Sequence, residues 1–103
     1  MDEEKKTYTT YLLLCADGSY YTGYARSLTQ RIRCHNEGRG AKYTRSRRPV
    51  KLLASWTFSD RREAMRLEAA IKRLSHAQKK ALSDASYSAK ELKGLLALTP
   101  DKR

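Results

Sequence analysis

Residues 7–24 constrain the fold more than any other stretch. TYTTYLLLC is rich in Thr, Tyr and Leu, side chains that fit a pleated, half-buried surface. Asp17-Gly18 follows, a dipeptide suited to the positive φ of a tight hairpin turn. SYYTGY, residues 19–24, has strand character again. Strands joined by so short a link are antiparallel neighbours, since a parallel pair needs a long crossover. Tyr11 and Tyr21 therefore lie near one another across the hairpin, and the strand register decides which face each takes.

Helical periodicity takes over downstream. Ser27 is an N-cap, and residues 28–37 read as a helix that Gly38 ends. Its stripe is Leu28, Arg31, Ile32 and His35, so two polar side chains share the face of the apolar anchors. Residues 38–49, GRGAKYTRSRRP, form a basic loop or short helical turn. Residues 50–58, VKLLASWTF, read as a third, largely buried strand. Asp60 with Glu63 has the spacing of a capping box, and a helix runs on to about residue 74. Its stripe is Ala64, Leu67, Ile71 and Leu74, with Glu68 inside it. Ser75 caps a last helix through about residue 83.

The expected fold is a single α+β domain: a small three-stranded antiparallel sheet flanked by helices, in the order β-β-α-(α)-β-α-α. Residues 1–7 are an N-terminal extension, 8–84 the domain, and 85–103 a tail. The tail has one short amphipathic stretch at Leu92, Leu95 and Leu96 that either forms a short helix or frays. At 103 residues there is room for one modest core. No stretch is long and apolar enough to span a bilayer, and no leader pattern follows MDEEKK, so no membrane role and a cytoplasmic setting are expected. Cys15 and Cys34 lack a paired spacing and read as free thiols. Too few Cys and His residues are suitably spaced for a zinc site.

Charge indicates the partner. The chain carries 22 basic and 11 acidic residues, a net charge of +11. Such an excess on one small domain implies a polyanion. It is also localised. Between Tyr24 and Lys51 stand Arg26, Arg31, Arg33, Arg39, Lys42, Arg45, Arg47, Arg48 and Lys51, against Glu37 alone. Interleaved with Tyr43, Thr44 and glycines, they point to phosphate contact rather than to a merely solvated face.

Three polar residues sit where apolar ones belong. Glu68 lies on a core stripe, where an unpaired carboxylate would be costly. It needs a structural salt bridge or a metal ion, and Mg²⁺ is often held by one or two carboxylates plus waters and phosphate oxygens. Arg31 offers a planar donor fork for phosphate, one turn from His35. A histidine near a tyrosine can accept or relay its proton.

Thr9-Thr10-Tyr11, Tyr21-Thr22-Gly23, Arg31, His35 and the distant Glu68 together resemble the GIY-YIG nuclease domain over about residues 8–82. CADGSYYTGYA, RIRCHNEGRGAKYTRSRRPVKLL and EAMRLEAAIKRLS resemble its small stand-alone bacterial proteins of the YhbQ type. HNEGRGAKYTRSRRPV is also similar to the catalytic subunit of the eukaryotic structure-specific endonuclease. The triplets read TTY and YTG here, keeping both tyrosines and the second glycine. Tyr24 stands where UvrC-type domains carry a lysine, and His35 where they carry a second helix tyrosine.

The resemblance implies a metal-dependent DNA endonuclease or nickase, with structure-selective action on branched or single-stranded DNA during repair or processing as its further expectation. RNA stays open as a substrate, and a monomer is the default. Tyr11, Tyr21, Arg31, His35 and Glu68 are the implied catalytic set, with Glu68 holding one Mg²⁺ or Mn²⁺ ion. Gly23 would let the chain approach the phosphate. Asn36, Lys42, Tyr43, Thr44 and Arg45 would line a nucleic-acid groove, with Arg47 and Arg48 adding longer-range attraction. The alternatives are a non-catalytic nucleic-acid-binding module on the same scaffold and a partner-dependent nuclease subunit.

Overall fold

The computed structural model describes residues 6–85, 87, 88 and 90–92. The elements are β1 (Tyr8–Leu14), β2 (Tyr20–Ala25), α1 (Leu28–Asn36), α2 (Lys42–Arg45), β3 (Lys51–Phe58), α3 (Arg61–Lys72) and α4 (His76–Ala85). The strands form one antiparallel sheet in the order β2-β1-β3. The expected architecture is therefore the observed one.

The hairpin forms where Asp17-Gly18 predicts it. Gly18 takes φ +87°, and the Asp17 carboxylate accepts from the Ser19 amide at 3.0 Å. Register then assigns the two faces. Tyr11 pairs with Gly23 and Leu13 with Tyr21, so Tyr11, Leu13, Tyr21 and Gly23 share one face. That face packs with Cys15, Val50, Leu28 and Ile32. On the other face Leu12 meets Trp56, Phe58, Ala64, Leu67 and Ile71, so α3 covers it. With helices on both sides β1 is buried along most of its length, which is why its sequence runs apolar instead of alternating.

The third strand departs from expectation. It is an edge strand, and only Trp56 and Phe58 are buried; Leu52 is 40% exposed. A short apolar run looks the same whether one face or both are covered.

Caps hold the helices as their sequences suggest. The Ser27 side chain accepts from the Gln30 amide, and Asp60 from the Arg62 amide at 2.8 Å. Ser75 and Gln78 bond reciprocally across the start of α4. Past α4, the Trp56 indole donates to the Tyr87 carbonyl at 2.9 Å, and Leu92 is buried in the α3-side core. Of the expected amphipathic stretch, Leu95 and Leu96 lie outside the described residues. No described helix is long and apolar enough to cross a membrane.

Candidate active site

The site begins with the Tyr11 ring, which crosses from β1 over β2. An ideal Cβ on Gly23 would lie 2.6 Å from the Tyr11 hydroxyl. Gly23 thus makes room for Tyr11, a nearer use for the missing side chain than the approach to phosphate expected of it. The ring is only 1% exposed.

His35 projects from the last turn of α1 and is fully buried. Its Nε2 lies 3.0 Å from the Tyr11 hydroxyl, and its Nδ1 lies 2.8 Å from Thr44 Oγ1. Thr44 Oγ1 in turn donates to the Ala41 carbonyl at 3.0 Å. A hydroxyl has one hydrogen. Since the Thr44 hydrogen goes to Ala41, Thr44 must accept from His35 Nδ1–H. Nε2 then carries the lone pair, and Tyr11 donates to it. Burial, aided by the Arg31 charge, holds the His35 pKa below its ordinary value, which keeps the ring in this neutral tautomer.

Tyr21 and the charges of Arg31 and Glu68 act on the same hydroxyl. Tyr21 tilts against Tyr11 at 6.4 Å between centroids and meets His35 edge-on at 5.2 Å. Arg31 is more exposed than its stripe suggested and lines a pocket of about 300 Å³ with Arg26, Gln30 and Cys34. Burial raises the Tyr11 pKa far above the usual phenol value; Tyr21 adds to this, Arg31 opposes it by charge and hydrogen bonding, and Glu68 raises it further. Tyr21, Arg31, His35 and Glu68 thus all bear on the Tyr11 hydroxyl, His35 by a direct hydrogen bond, Tyr21 by ring packing, and Arg31 and Glu68 through their charge.

Glu68 sits at the margin of its stripe, not deep within it. Its side chain is 19% exposed, and Lys72 Nζ lies 3.1 Å from Oε2. Both readings of Glu68 are physically open to it: an i,i+4 ion pair is present, and the carboxylate is accessible to a metal ion. Among the described residues no three His, Cys, Asp or Glu side chains converge. A hard dication held by the Glu68 carboxylate would complete its shell with water and phosphate oxygens, an arrangement that suits Mg²⁺.

The expected groove residues divide. Lys42 and Arg45 are exposed on α2, where phosphate could meet them. Tyr43 is stacked against Tyr21 at 5.9 Å, with the Arg47 guanidinium 3.9 Å from its ring centre. Others have structural partners instead. The Asn36 amide pairs in both directions with the Val50 backbone, at 3.2 and 2.7 Å. Arg47 ties the Asp17 carboxylate to the Tyr43 carbonyl at 3.0 and 2.8 Å. Arg48 donates to the Arg45 and Asn36 carbonyls, which end the two short helices. Thr44 is fully buried and belongs to His35, not to a groove surface.

A family profile described as the GIY-YIG catalytic domain matches residues 7–81. The chain belongs to the GIY-YIG family. That places it in a nuclease superfamily, with DNA as the substrate that such a domain implies and divalent ions in general use. Within the family its relatives are UPF0213 proteins. It is 41% identical to one from Bacillus velezensis over 99 residues, 96% of this chain and 98% of that protein. It is 53% identical over 72 residues to one from Halobacterium salinarum, covering 70% and 94%. Two solution NMR structures share the fold. A protein from E. faecalis matches with a TM-score of 0.53 and 39% identity, covering 99% of this chain and 98% of that one. The UPF0213 protein of Bacillus halodurans matches with a TM-score of 0.51 and 46% identity, covering 76% and 83%.

Two residues of this GIY-YIG domain gain parts that sequence reasoning missed. Thr10, the middle of the first triplet, is buried and donates to the Ala64 carbonyl at 2.7 Å. Ala64 is one turn before Glu68, so Thr10 fixes the helix that carries the carboxylate. Lys72 was signalled only by its i+4 spacing from Glu68.

Proposed function

We propose that the chain is a divalent-metal-dependent DNA endonuclease or nickase whose reacting phosphodiester sits between Tyr11, Arg31 and Glu68. The observation that carries this reading is a buried tyrosine hydroxyl hydrogen-bonded to a buried histidine, with Tyr21 packed against both rings.

Glu68 would hold one Mg²⁺ or Mn²⁺ ion, which would supply charge neutralisation at the phosphate. Arg31 donates to phosphate oxygens and offsets the charge that grows on them in an in-line displacement. Tyr11 acts on the attacking water. Its hydrogen points at His35 Nε2, so its oxygen lone pairs accept a hydrogen from the water. As the water attacks, its proton passes to the Tyr11 oxygen and the Tyr11 proton passes to Nε2. The departing oxygen recovers a proton afterwards, and His35 returns to its neutral form. Tyr21 braces Tyr11 and carries Tyr43. Lys42 and Arg45 hold the backbone without reading bases, which favours recognition of DNA shape over sequence. The two thiols are free, in keeping with a cytoplasmic setting.

The test is nicking of supercoiled plasmid, and cutting of flap, splayed and single-stranded DNA, in Mg²⁺, Mn²⁺ or chelator. Cleavage with either ion and none with chelator is expected. Tight binding with no cleavage under any ion would favour the binding-module reading instead.

A further inference from the structure

A second pocket opens beside Glu68, at the edge of the sheet. It encloses about 290 Å³ and is lined by Tyr20, Tyr21, Thr22, Tyr43, Lys72 and Lys79. Every side chain in the lining bears an O–H or N–H donor, two of them are ammonium groups, and no carboxylate is among them. Such a lining suits a phosphate oxyanion. The pocket also shares a wall with the candidate active site. Tyr21 touches Tyr11 and His35, and Lys72 pairs with Glu68.

The Glu68–Lys72 pair links the two sites. The Lys72 side chain is 53% exposed and flexible, whereas Glu68 is mostly enclosed. Only one cation can dominate the Glu68 oxygens. A divalent ion there repels the ammonium, and Lys72 already lines a pocket with anion-binding character.

We propose that this pocket binds a backbone phosphate of the nucleic acid adjacent to the scissile one, and that Lys72 transfers from Glu68 to that phosphate when Glu68 takes up a divalent ion. The inference rests on the assignment of Glu68 as the metal ligand. It adds a coupling: metal and nucleic acid each strengthen the binding of the other, because both depend on where Lys72 is held.

The experiment is fluorescence anisotropy of a short labelled single-stranded oligonucleotide, with Ca²⁺ as a test ion or with chelator. The variants are Lys72→Met, Lys79→Met and, as a control for lost charge on α3, Arg66→Met. In the wild type, Ca²⁺ should tighten binding several-fold. Lys72→Met should abolish that gain, and should raise the affinity for Mn²⁺ alone, read by electron paramagnetic resonance. Lys79→Met should weaken binding about tenfold under both conditions, more than Arg66→Met does. The proposal is overturned if both lysine variants bind like Arg66→Met and Mn²⁺ affinity is unchanged. It is also overturned if the variants lose affinity for inorganic phosphate but none for the oligonucleotide. Cleavage by the wild type in Mg²⁺ or Mn²⁺ keeps the two ideas separate. A wild type that cuts while the pocket variants behave like the control sinks the subsite alone. A wild type that never cuts sinks the nuclease reading, whatever the pocket variants do.

Discussion

The Tyr11 hydroxyl lies 3.0 Å from His35 Nε2, and the Thr44 hydroxyl, bonded to the Ala41 carbonyl, sets the direction in which Tyr11 donates. The chain from Tyr11 through His35 and Thr44 to the Ala41 carbonyl has a donor and an acceptor at each link, with none left over. The Ala41 carbonyl also accepts the Thr44 and Arg45 amides, at 3.1 and 3.2 Å, and so ties the Thr44 end of this chain to the start of α2.

Thr44→Val keeps the shape of the side chain and removes the acceptor for His35 Nδ1–H. The expected result is a stability loss of about 1–3 kcal/mol in chemical denaturation. Cleavage should fall about tenfold or more as the tautomer loses its anchor. ¹⁵N NMR of the imidazole should show Nε2–H gaining population. Thr44→Ser, which keeps the hydroxyl, should restore both activity and the Nδ1–H form.

Gly23→Ala places a methyl group against a rigid, buried ring, 2.6 Å from its hydroxyl and 2.8 Å from Cζ. Neither β2, which pairs with β1, nor the enclosed ring can move aside cheaply. A loss of about 1–3 kcal/mol is expected from thermal unfolding. Cleavage should drop further than Tm alone explains, because the displaced hydroxyl is the one argued to take the water's proton. Wild-type cleavage by Gly23→Ala would show that the Tyr11 hydroxyl can be moved without consequence.

The pH dependence follows from His35. Its folded pKa lies below the ordinary 6.5, chiefly through burial and secondarily through Arg31. Between the lowered folded value and about 6.5 the unfolded chain binds more protons than the folded one. Stability is therefore full above about pH 6.5 and declines as the pH falls through that value toward the folded pKa. Urea unfolding from pH 8 to pH 5 should show this decline, and His35→Gln should flatten that part of it. Activity should fall over the acid limb as well, since a protonated His35 cannot accept from Tyr11. The Tyr11 pKa is raised, so Tyr11 stays protonated throughout this range.

Much of this was legible in the sequence, for local reasons. Asp17-Gly18, Ser27, Asp60 and Ser75 act within a few residues of themselves, so the hairpin and the helix starts could be read directly. Glu68 stood out as a charge on an apolar stripe. What could not be read depends on pairs distant along the chain. The register that puts Tyr11 opposite Gly23 belongs to two strands at once. Thr44 meets His35, and Asn36 meets Val50, only after the basic loop has folded back on α1. Basic composition suggested phosphate contacts for Arg47 and Arg48, yet composition cannot show that Asp17 or a helix carbonyl already engages them. The same limit made β3 look buried before its edge position was known.

The most direct measurement compares cutting with binding in Glu68→Gln and Arg31→Ala. Nicking of supercoiled plasmid in Mn²⁺ is followed beside anisotropy of the same proteins on a labelled duplex. Both variants should lose cleavage by roughly three orders of magnitude, a scale typical of removing a main electrostatic stabiliser. Binding should change only a few-fold. If Glu68→Gln nicks at the wild-type rate while remaining folded, the site assigned around Tyr11 is contradicted.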